Sequence, residues 1–426
     1  MQKIKLLITF LVCVQSLFAQ NFPDSIFSQL RFRFIGPDGN RAIAVAGEPG
    51  NPMVSYVGAA SGGIFKTEDA GISWKPIFDD MDNSSIGALA IAPSSHKQVW
   101  AGTGETFLIR PAHAMGNGIY KSTDAGKTWM NMGLKATARI SKVVVHPTDS
   151  NTVYVAALGH AHGPQQERGV YKTTDGGKTW ERILFVDENT GCSDLSIDPQ
   201  HPDILFAAMW QVEVKTWGLH SGGAGSGIYR TKDGGKTWEP LHNGLPGGIN
   251  HPVGKTSVDV AYSNPNIIYA LIEDKAPGIY RSEDGGDSWK LMNQNHSFAQ
   301  RAPYYTRIRV STKDPNRIHT ICVTIMTSND GGKTFTSPHG DYRAGGDNHD
   351  MWFDPMDANR IMVAHDGCLN MTYNGGKTWS NINLPVAQMY HVSVDNQIPY
   401  NVYGNRQDGY SYKGPGISMQ IGRAHV

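Results

Sequence analysis

The sequence predicts an all-β fold, a β-propeller of about seven four-stranded blades, followed by the start of an eighth repeat at the C-terminal end. A phrase of the type Thr/Ser-x-Asp-x-Gly-x-Thr/Ser-Trp occurs seven times. Its third positions lie 44 to 58 residues apart, a spacing typical of blade repeats. Three strand-like runs precede each phrase and one follows it, whereas no segment of comparable length reads as an amphipathic helix. The third positions are Asp69, Asp124, Asp175, Asp233, Asp284, Asp330 and Asn374.

Each phrase has the composition of a tight hairpin turn. Its Asp can accept backbone N–H groups, its glycines supply positive φ, and its Ser or Thr adds a local hydrogen bond. The closing Trp, or Phe335 in the sixth copy, provides a large apolar anchor. Because every repeat carries the phrase, shared turn geometry explains it better than a single catalytic centre does. The seven third positions are therefore predicted to be structural.

The two ends of the chain read differently from the repeats. Residues 1–20 have the pattern of a secretory signal: Lys3 and Lys5, then the apolar run Leu6–Val14, then Leu17–Ala19. That run is short for a membrane span, and no later segment qualifies. We expect a secreted protein, periplasmic or extracellular, with the seven-repeat propeller over residues 21–388. Residues 389–420 are expected to begin a further blade or a second propeller, and residues 421–426 to be a non-native tail of the kind that a sequencing adapter encodes, with the native chain continuing into further domains.

The composition limits the classes of partner that we expect. The 38 basic and 38 acidic residues give a net charge of zero, and no basic stretch stands out, so nucleic acid is not an expected partner. Three cysteines follow the signal segment: Cys192, Cys322 and Cys368. This odd, sparse set argues against a disulfide framework and predicts small buried side chains. No pattern calls for a cofactor or a metal.

In a propeller, the loops between second and third strands and those between blades gather on the face opposite the repeated turns. Binding residues are expected on that face, because loops on a rigid scaffold carry function. The second-to-third loops 102–116, 159–168 and 210–225 are long, which predicts a lopsided site walled by blades two to four. Aromatic and charged side chains that converge there suit sugar rings, and a peptide fits nearly as well. The predicted ligand-binding residues are Arg110, His160, Arg168, Trp217, Tyr304, Arg307, Arg343, His349, Tyr390, Gln407 and Asp408.

Three carboxylates are candidates for catalysis, namely Glu105, Asp347 and Asp350. The alternative for Glu105 is a cap of its own glycine-containing loop. The segment 347–350 also reads as a hydrogen-bonded turn, and this interpretation is favoured over a metal site. The pair His160 and His162 is interpreted as part of an exposed loop rather than as a ligand set.

The seven phrases resemble the Asp boxes of BNR-repeat proteins, which include sialidases, xyloglucan-cleaving glycoside hydrolases and sortilin-type ectodomains. The chain is most similar to secreted bacterial proteins described as glycosyl hydrolase-like or sortilin N-terminal-like. This resemblance implies the propeller fold over essentially the whole mature chain, but it does not imply one activity, since Asp boxes occur in enzymes and non-enzymes. The segments that carry it are 30–37, 56–66, 102–105, 346–355, 388–392 and 407–409.

Two departures from these relatives bear on activity. Xyloglucan-cleaving relatives carry a general-base Asp in the first blade, where this chain has Ala59–Gly63 and no carboxylate. Sialidases begin with an Arg-Ile-Pro motif, which Arg33–Pro37 does not match. The resemblance therefore favours a secreted propeller that binds glycan or peptide. The alternatives are a glycoside hydrolase that uses Glu105 with Asp347 or Asp350, and a non-catalytic surface or secretion scaffold.

Overall fold

The computed structural model describes residues 34–39, 41–108, 114–337 and 345–417, together with the backbone of residues 422–423. The predicted signal segment, Arg110 and Arg343 lie outside these residues, as does most of the predicted tail. Within them the protein is almost entirely β-structure, and the helical segments are two short 3₁₀ turns, Lys135–Thr137 and His296–Phe298. No helix in the described residues is long and apolar enough to cross a membrane.

The strands form antiparallel sheets in chain order, and each of the first seven sheets is built around one copy of the turn phrase. Blade 1 contains β1 (Ala42–Gly47), β2 (Ser55–Ala59), β3 (Ile64–Thr67) and β4 (Lys75–Pro76). Blade 2 contains β5 (Ile86–Ala92), β6 (Ser95–Thr103), β7 (Ile119–Ser122) and β8 (Met130–Asn131). Blade 3 contains β9 (Ile140–Val145), β10 (Val153–Ala157), β11 (Gly169–Thr173) and β12 (Glu181–Leu184). Blade 4 contains β13 (Thr190–Ile197), β14 (Leu205–Lys215), β15 (Gly218–Ser221), β16 (Gly227–Thr231) and β17 (Glu239–Pro240).

The second half of the chain repeats the pattern. Blade 5 contains β18 (Thr256–Val260), β19 (Ile268–Ile272), β20 (Gly278–Ser282) and β21 (Lys290–Gln294). Blade 6 contains β22 (Arg307–Val310), β23 (Ile318–Ile321) and β24 (Met326–Ser328). Blade 7 contains β25 (Asn348–Phe353), β26 (Ile361–His365), β27 (Cys368–Thr372) and β28 (Ser380–Ile382). An eighth sheet contains β29 (Met389–Val394), β30 (Asn401–Arg406), β31 (Ser411–Pro415) and β32 (Gly422–Arg423).

The predicted propeller is confirmed, with two differences in detail. The long loop predicted in blade 4 is partly a hairpin, because β14 extends past the blade and pairs with β15. In blade 6 a single bridge between Thr327 and Thr336 replaces the fourth strand. Pro338 follows two residues later, and proline has no N–H to extend the ladder.

Blades 1 to 7 close into a ring. The first strand of each blade contacts the first strands of both neighbouring blades, and β25 of blade 7 contacts β1 of blade 1. An apolar cluster seals this last interface, with Val45 and Phe65 of blade 1 buried against Met362 and Leu369 of blade 7. The first strands therefore line the axis of the ring, and each blade buries both of its faces against neighbours.

The eighth sheet lies outside the ring. In blade 7 the inner-strand side chains Met351 and Phe353 are buried, whereas the equivalent Val392 and Val394 of β29 are 64% and 62% exposed. The sheet is held to the ring by contacts such as the hydrogen bond that Arg406 Nη1 donates to the carbonyl of Asp38 over 2.7 Å.

The turn phrase forms one hydrogen-bond pattern in every blade, as the second copy shows. Ser122 Oγ donates to Asp124 Oδ1 over 2.8 Å and accepts the N–H of Gly126 over 2.8 Å. The backbone N–H and the hydroxyl of Thr128 donate to the two carboxylate oxygens over 2.9 and 2.6 Å. In the seventh copy Asn374 keeps these contacts, because its Oδ1 accepts the Thr378 N–H and its Nδ2 donates to Thr378 Oγ1 over 2.8 Å.

A second set of contacts joins six of the seven turns, those of blades 1 to 5 and 7, to the preceding blade. Lys121 Nζ of blade 2 donates to the carbonyl of Gly176 in the blade 3 turn over 3.1 Å. At the ring closure, Tyr373 OH of blade 7 donates to the carbonyl of Ala70 in the blade 1 turn over 3.1 Å. The turns therefore fasten neighbouring blades as well as closing their own hairpins. Equivalent donors and carbonyls are Tyr56 and Ala125, Lys172 and Gly234, Arg230 and Gly285, and Arg317 and Gly375.

The three cysteines Cys192, Cys322 and Cys368 are all buried free thiols, in agreement with the prediction that they are small core residues. Each packs in a different apolar cluster of the protein.

We predict that Asp124→Ala lowers the free energy of unfolding by about 1 kcal/mol at pH 7, because the turn loses the acceptor of three hydrogen bonds. Asp124→Asn should cost less, since Asn374 performs the same role in the seventh turn. Urea denaturation measures both, and Asp80→Ala, at an exposed aspartate, is the matched control. Equal stability of Asp124→Ala and Asp80→Ala would contradict the structural role of the turn.

The same contacts predict a pH dependence. Hydrogen bonds from Thr128 lower the pKa of Asp124 from 3.8 to about 2. The ionised carboxylate therefore stabilises the fold fully above pH 3.8, and this stabilisation is lost as the pH falls towards 2. Asp124→Asn should show a shallower loss of stability between pH 4 and pH 2 than the unmodified protein.

Candidate functional site

The blade 2 loop that follows β6 crosses the mouth of the ring. Its Leu108 N–H donates to the carbonyl of Pro303, in the connector between blades 5 and 6, over 3.0 Å. Phe107 stacks on His349 of blade 7 with ring centroids 4.1 Å apart and meets Tyr304 edge-on at 4.7 Å. Because blade 2 is not a ring neighbour of blades 6 and 7, these contacts place the loop over the central channel.

Glu105, one of the predicted catalytic residues, lies in this loop and forms an ion pair with Arg41 at the start of β1. Both residues are almost fully buried, with 3% and 5% of their surfaces exposed. The Arg41 guanidinium also lies over the Phe107 ring, 5.5 Å from its centroid. The backbone carbonyl of Glu105 accepts a hydrogen bond from Arg139 Nε over 2.8 Å. Arg41 therefore holds the Glu105 carboxylate, and Arg139 holds the Glu105 backbone.

Tyr304 and His349 share one carboxylate, that of Asp366 in the turn between β26 and β27. Tyr304 OH lies 2.8 and 2.9 Å from the two Asp366 oxygens, and His349 Nε2 lies 2.7 Å from Oδ1. Burial alone would raise the pKa of Asp366, but the hydrogen bond from His349 and the bond from Tyr304 lower it overall. Burial lowers the pKa of His349, so its imidazole is neutral at pH 7 and donates Nε2–H to the carboxylate.

Asp347 lies on the edge of this cluster. Its carboxylate is 4.0 Å from Arg301 Nη1, and one third of its side chain is exposed. Arg301 Nη1 also donates to Tyr305 OH over 3.0 Å. Burial and then the hydrogen bond with Asp347 raise the pKa of Tyr305, which keeps the phenol protonated.

Asp350 occupies a different environment, inside the channel. Its Oδ1 lies 3.3 Å from Arg307 Nη1, 3.4 Å from Arg309 Nη2 and 4.0 Å from Lys142 Nζ. Arg309 also pairs with Asp194 over 3.0 Å. Burial opposes ionisation of Asp350, but the three cations lower its pKa overall. The predicted residues Asp350 and Arg307 are therefore members of a buried ion network that fills the axis.

A cavity of about 930 Å³ opens beside the channel mouth. Of the predicted site residues, Glu105 and Tyr390 line it. A Cβ on Gly62 would lie 2.5 Å from Val386 Cγ1, so glycine at this position lets the connector from blade 7 pack over blade 1. The lining residues are Phe34, Arg41, Ala59, Ala60, Ser61, Gly62, Phe65, Pro76, Asp79, Glu105, Ala114, Pro385, Val386, Ala387, Gln388 and Tyr390.

The eighth sheet supports one wall of this cavity. Tyr390 OH donates to Gln407 Oε1 over 3.0 Å, and the Gln407 N–H donates to the carbonyl of Gln388 over 2.9 Å. Gln407 is buried, whereas Asp408 is exposed and accepts a hydrogen bond from Gln407 Nε2 over 3.1 Å. Gln407 and Asp408 therefore lie behind Tyr390 rather than on the cavity surface.

The other predicted residues that the structure describes do not line the cavity. Arg168 is buried and donates to the carbonyls of Asn189 over 2.6 Å and His160 over 2.9 Å, which ties the blade 3 loop to blade 4. Trp217 is 82% exposed at the tip of the hairpin between β14 and β15. No cluster of three or more His, Cys, Asp or Glu side chains that could hold a metal ion occurs in the described residues.

Sequence reasoning missed several residues of the mouth, including Phe34, Arg41, Phe107 and Asp366. Asp366 follows a strand and precedes Gly367, which reads as an ordinary hairpin turn. The position of Arg41 could have been predicted from the sequence. It directly precedes the first strand of blade 1, and the first strands line the axis of the ring.

The family model described as "Sortilin, neurotensin receptor 3" matches residues 117–263. The chain is 24% identical over 311 residues to the "Probable oligoxyloglucan-reducing end-specific xyloglucanase" of Neosartorya fischeri, covering 61% of this chain and 35% of that protein. It is 25% identical over 329 residues to a "Xyloglucanase" of a Paenibacillus species, covering 66% of this chain and 29% of that protein. The chain thus spans about a third of the length of the curated relatives that it matches.

The fold is shared with the solved structure "YCF48 bound to D1 peptide". The TM-score is 0.52 at 13% identity, and the match covers 80% of this chain and 98% of that one. This likeness shows the propeller fold alone.

We predict that Asp350→Asn lowers the free energy of unfolding by about 3 kcal/mol, because the buried Arg307 and Arg309 and the partly exposed Lys142 lose a shared partner. Asp347→Asn is the matched control and should cost less than about 1 kcal/mol, since Asp347 is partly exposed and 4.0 Å from its cation. Thermal and urea denaturation measure both variants. A larger loss for Asp347→Asn than for Asp350→Asn would show that the channel network does not stabilise the ring.

Proposed function

We propose that this Asp-box β-propeller binds a glycan in the cavity beside its channel mouth. The observation that carries the proposal is a concave site lined by two aromatic residues that are half exposed. The exposed fraction is 47% for Phe34 and 50% for Tyr390. Aromatic rings cover the apolar faces of sugars, and the polar side chains of Ser61 and Gln388 can bond hydroxyl groups. A cavity of this size is within the range of small-ligand sites.

The names of the relatives suggest which glycan to test first. Because the curated relatives are called xyloglucanases, a xyloglucan oligosaccharide is the first ligand that we propose. The whole-protein activity of those relatives is itself only a proposal for this chain, which covers about a third of their length.

Hydrolysis is the second candidate, and the relatives' names favour it. A retaining or inverting glycosidase needs two carboxyl groups that flank the scissile bond, one of them protonated. Glu105 is buried in an ion pair with Arg41, and three cations in the channel lower the pKa of Asp350. Of the three predicted catalytic residues, only Asp347 retains substantial exposure. These contacts support binding over hydrolysis.

We also propose that the protein is secreted and that residues 1–20 are its signal segment. The charged start and the short apolar run support this. The mass of the exported protein tests it, with Asn21 as the expected first residue.

We predict that Tyr390→Ala weakens the binding of a xyloglucan oligosaccharide by about three- to tenfold, because one stacking ring is lost. Tyr390→Phe keeps the ring and should bind nearly as well as the unmodified protein. Isothermal titration calorimetry measures the affinities. Trp217→Ala is the control, since this large aromatic side chain is exposed but does not line the cavity.

Three outcomes would change the proposal. Loss of binding in Trp217→Ala but not in Tyr390→Ala would move the site to the blade 4 hairpin. Release of reducing sugar by the unmodified protein, abolished in Asp347→Asn or Glu105→Gln, would favour the hydrolase. Absence of glycan binding together with capture of an extended peptide at Tyr390 would replace the glycan by a peptide.

A further inference from the structure

The side chains that line the cavity include more carboxylates than cations. Among the described lining residues Arg41 is the cation, and Glu105 and Asp79 are the carboxylates. Asp79 is exposed on blade 1, whereas Glu105 is buried against Arg41. The cavity surface therefore carries a net negative charge once the buried pair is counted as neutral.

Arg41 has the properties of an anion-binding residue, but the Glu105 carboxylate already occupies it. The residue is 5% exposed, and its Nε is buried with no hydrogen-bond partner. Its backbone is fixed, because the Arg41 N–H donates to the Asp366 carbonyl over 2.9 Å and its carbonyl accepts the Ala60 N–H over 3.0 Å. A fixed, desolvated guanidinium pairs strongly with carboxylates, often through two parallel bonds. Glu105 supplies that carboxylate from within the protein.

We propose that Glu105 is a specificity-determining residue that keeps acidic sugars out of the cavity by occupying Arg41. A uronic acid would have to displace Glu105, which would leave a buried carboxylate without a partner. It would also approach the negative side chain of Asp79. A neutral sugar meets neither penalty, so the cavity discriminates by charge. This inference rests on the proposed glycan-binding function of the same cavity.

The first test uses the unmodified protein and two forms of one ligand. A neutral xyloglucan oligosaccharide is compared with the same oligosaccharide oxidised at C6 to carry uronate groups. We expect binding of the oxidised form to be at least about tenfold weaker, the equivalent of one lost charge-assisted contact. Equal or tighter binding of the oxidised form would overturn the inference.

The second test removes the internal carboxylate. Glu105→Gln frees Arg41, so this variant should bind a glucuronate-containing oligosaccharide at least about tenfold more tightly than the unmodified protein. The acidic ligand should also raise its melting temperature. The double variant Arg41→Gln with Glu105→Gln removes the cation and should lose this gain. A folded Glu105→Gln variant that gains no affinity for the acidic ligand would overturn the inference.

The two tests separate this inference from the proposed function. If the unmodified protein binds no neutral glycan, the proposed function fails, and gain of acidic binding by Glu105→Gln still reports whether Arg41 was occupied. If neutral glycan binds but charge makes no difference in either test, the proposed function stands and the role of Glu105 is wrong.

Discussion

The closure of the ring between blades 7 and 1 is the constraint on which the rest of the structure depends. Each blade is apolar on both faces and is stable only between two neighbours, so β25 must meet β1. Closure brings seven first strands around one axis and fixes where their side chains can lie. The repeated turns hold neighbouring blades together on the face of the ring opposite the channel mouth, through contacts such as that of Tyr373 with Ala70.

The charged residues near the axis follow from this geometry and divide into two groups. Inside the channel, Asp194 and Asp350 pair with Arg307 and Arg309, and burial ties these charges to the stability of the ring. At the mouth, the blade 2 loop brings Glu105 to Arg41 and Phe107 to His349. Contacts within the protein therefore hold the side chains of the mouth, which suits a preformed binding surface better than an acid–base pair that must change its protonation.

The fold was predictable because the residues that determine it lie close together in the sequence and recur in every blade. The turn phrase specifies its hydrogen bonds within a few residues, and its spacing specifies the blade. The site was predictable only in part, because it joins residues from distant repeats. Glu105 and Tyr390 were found on the cavity, but Asp350 and Arg307 belong to the channel network and Arg168 ties two blades together. One strand, β25, carries both His349 at the mouth and Asp350 in the channel, and alternation along a strand does not reveal which side is which.

We propose that the seven turns fasten the blades on one face of the ring and that the channel mouth on the opposite face binds a glycan. Hydrogen–deuterium exchange with and without a saturating xyloglucan oligosaccharide tests this claim most directly. We predict slower exchange in residues 59–62, 104–108 and 385–390, which line or adjoin the cavity, and unchanged exchange in the seven turns. Protection confined to the turns, with no change at the mouth, would contradict it.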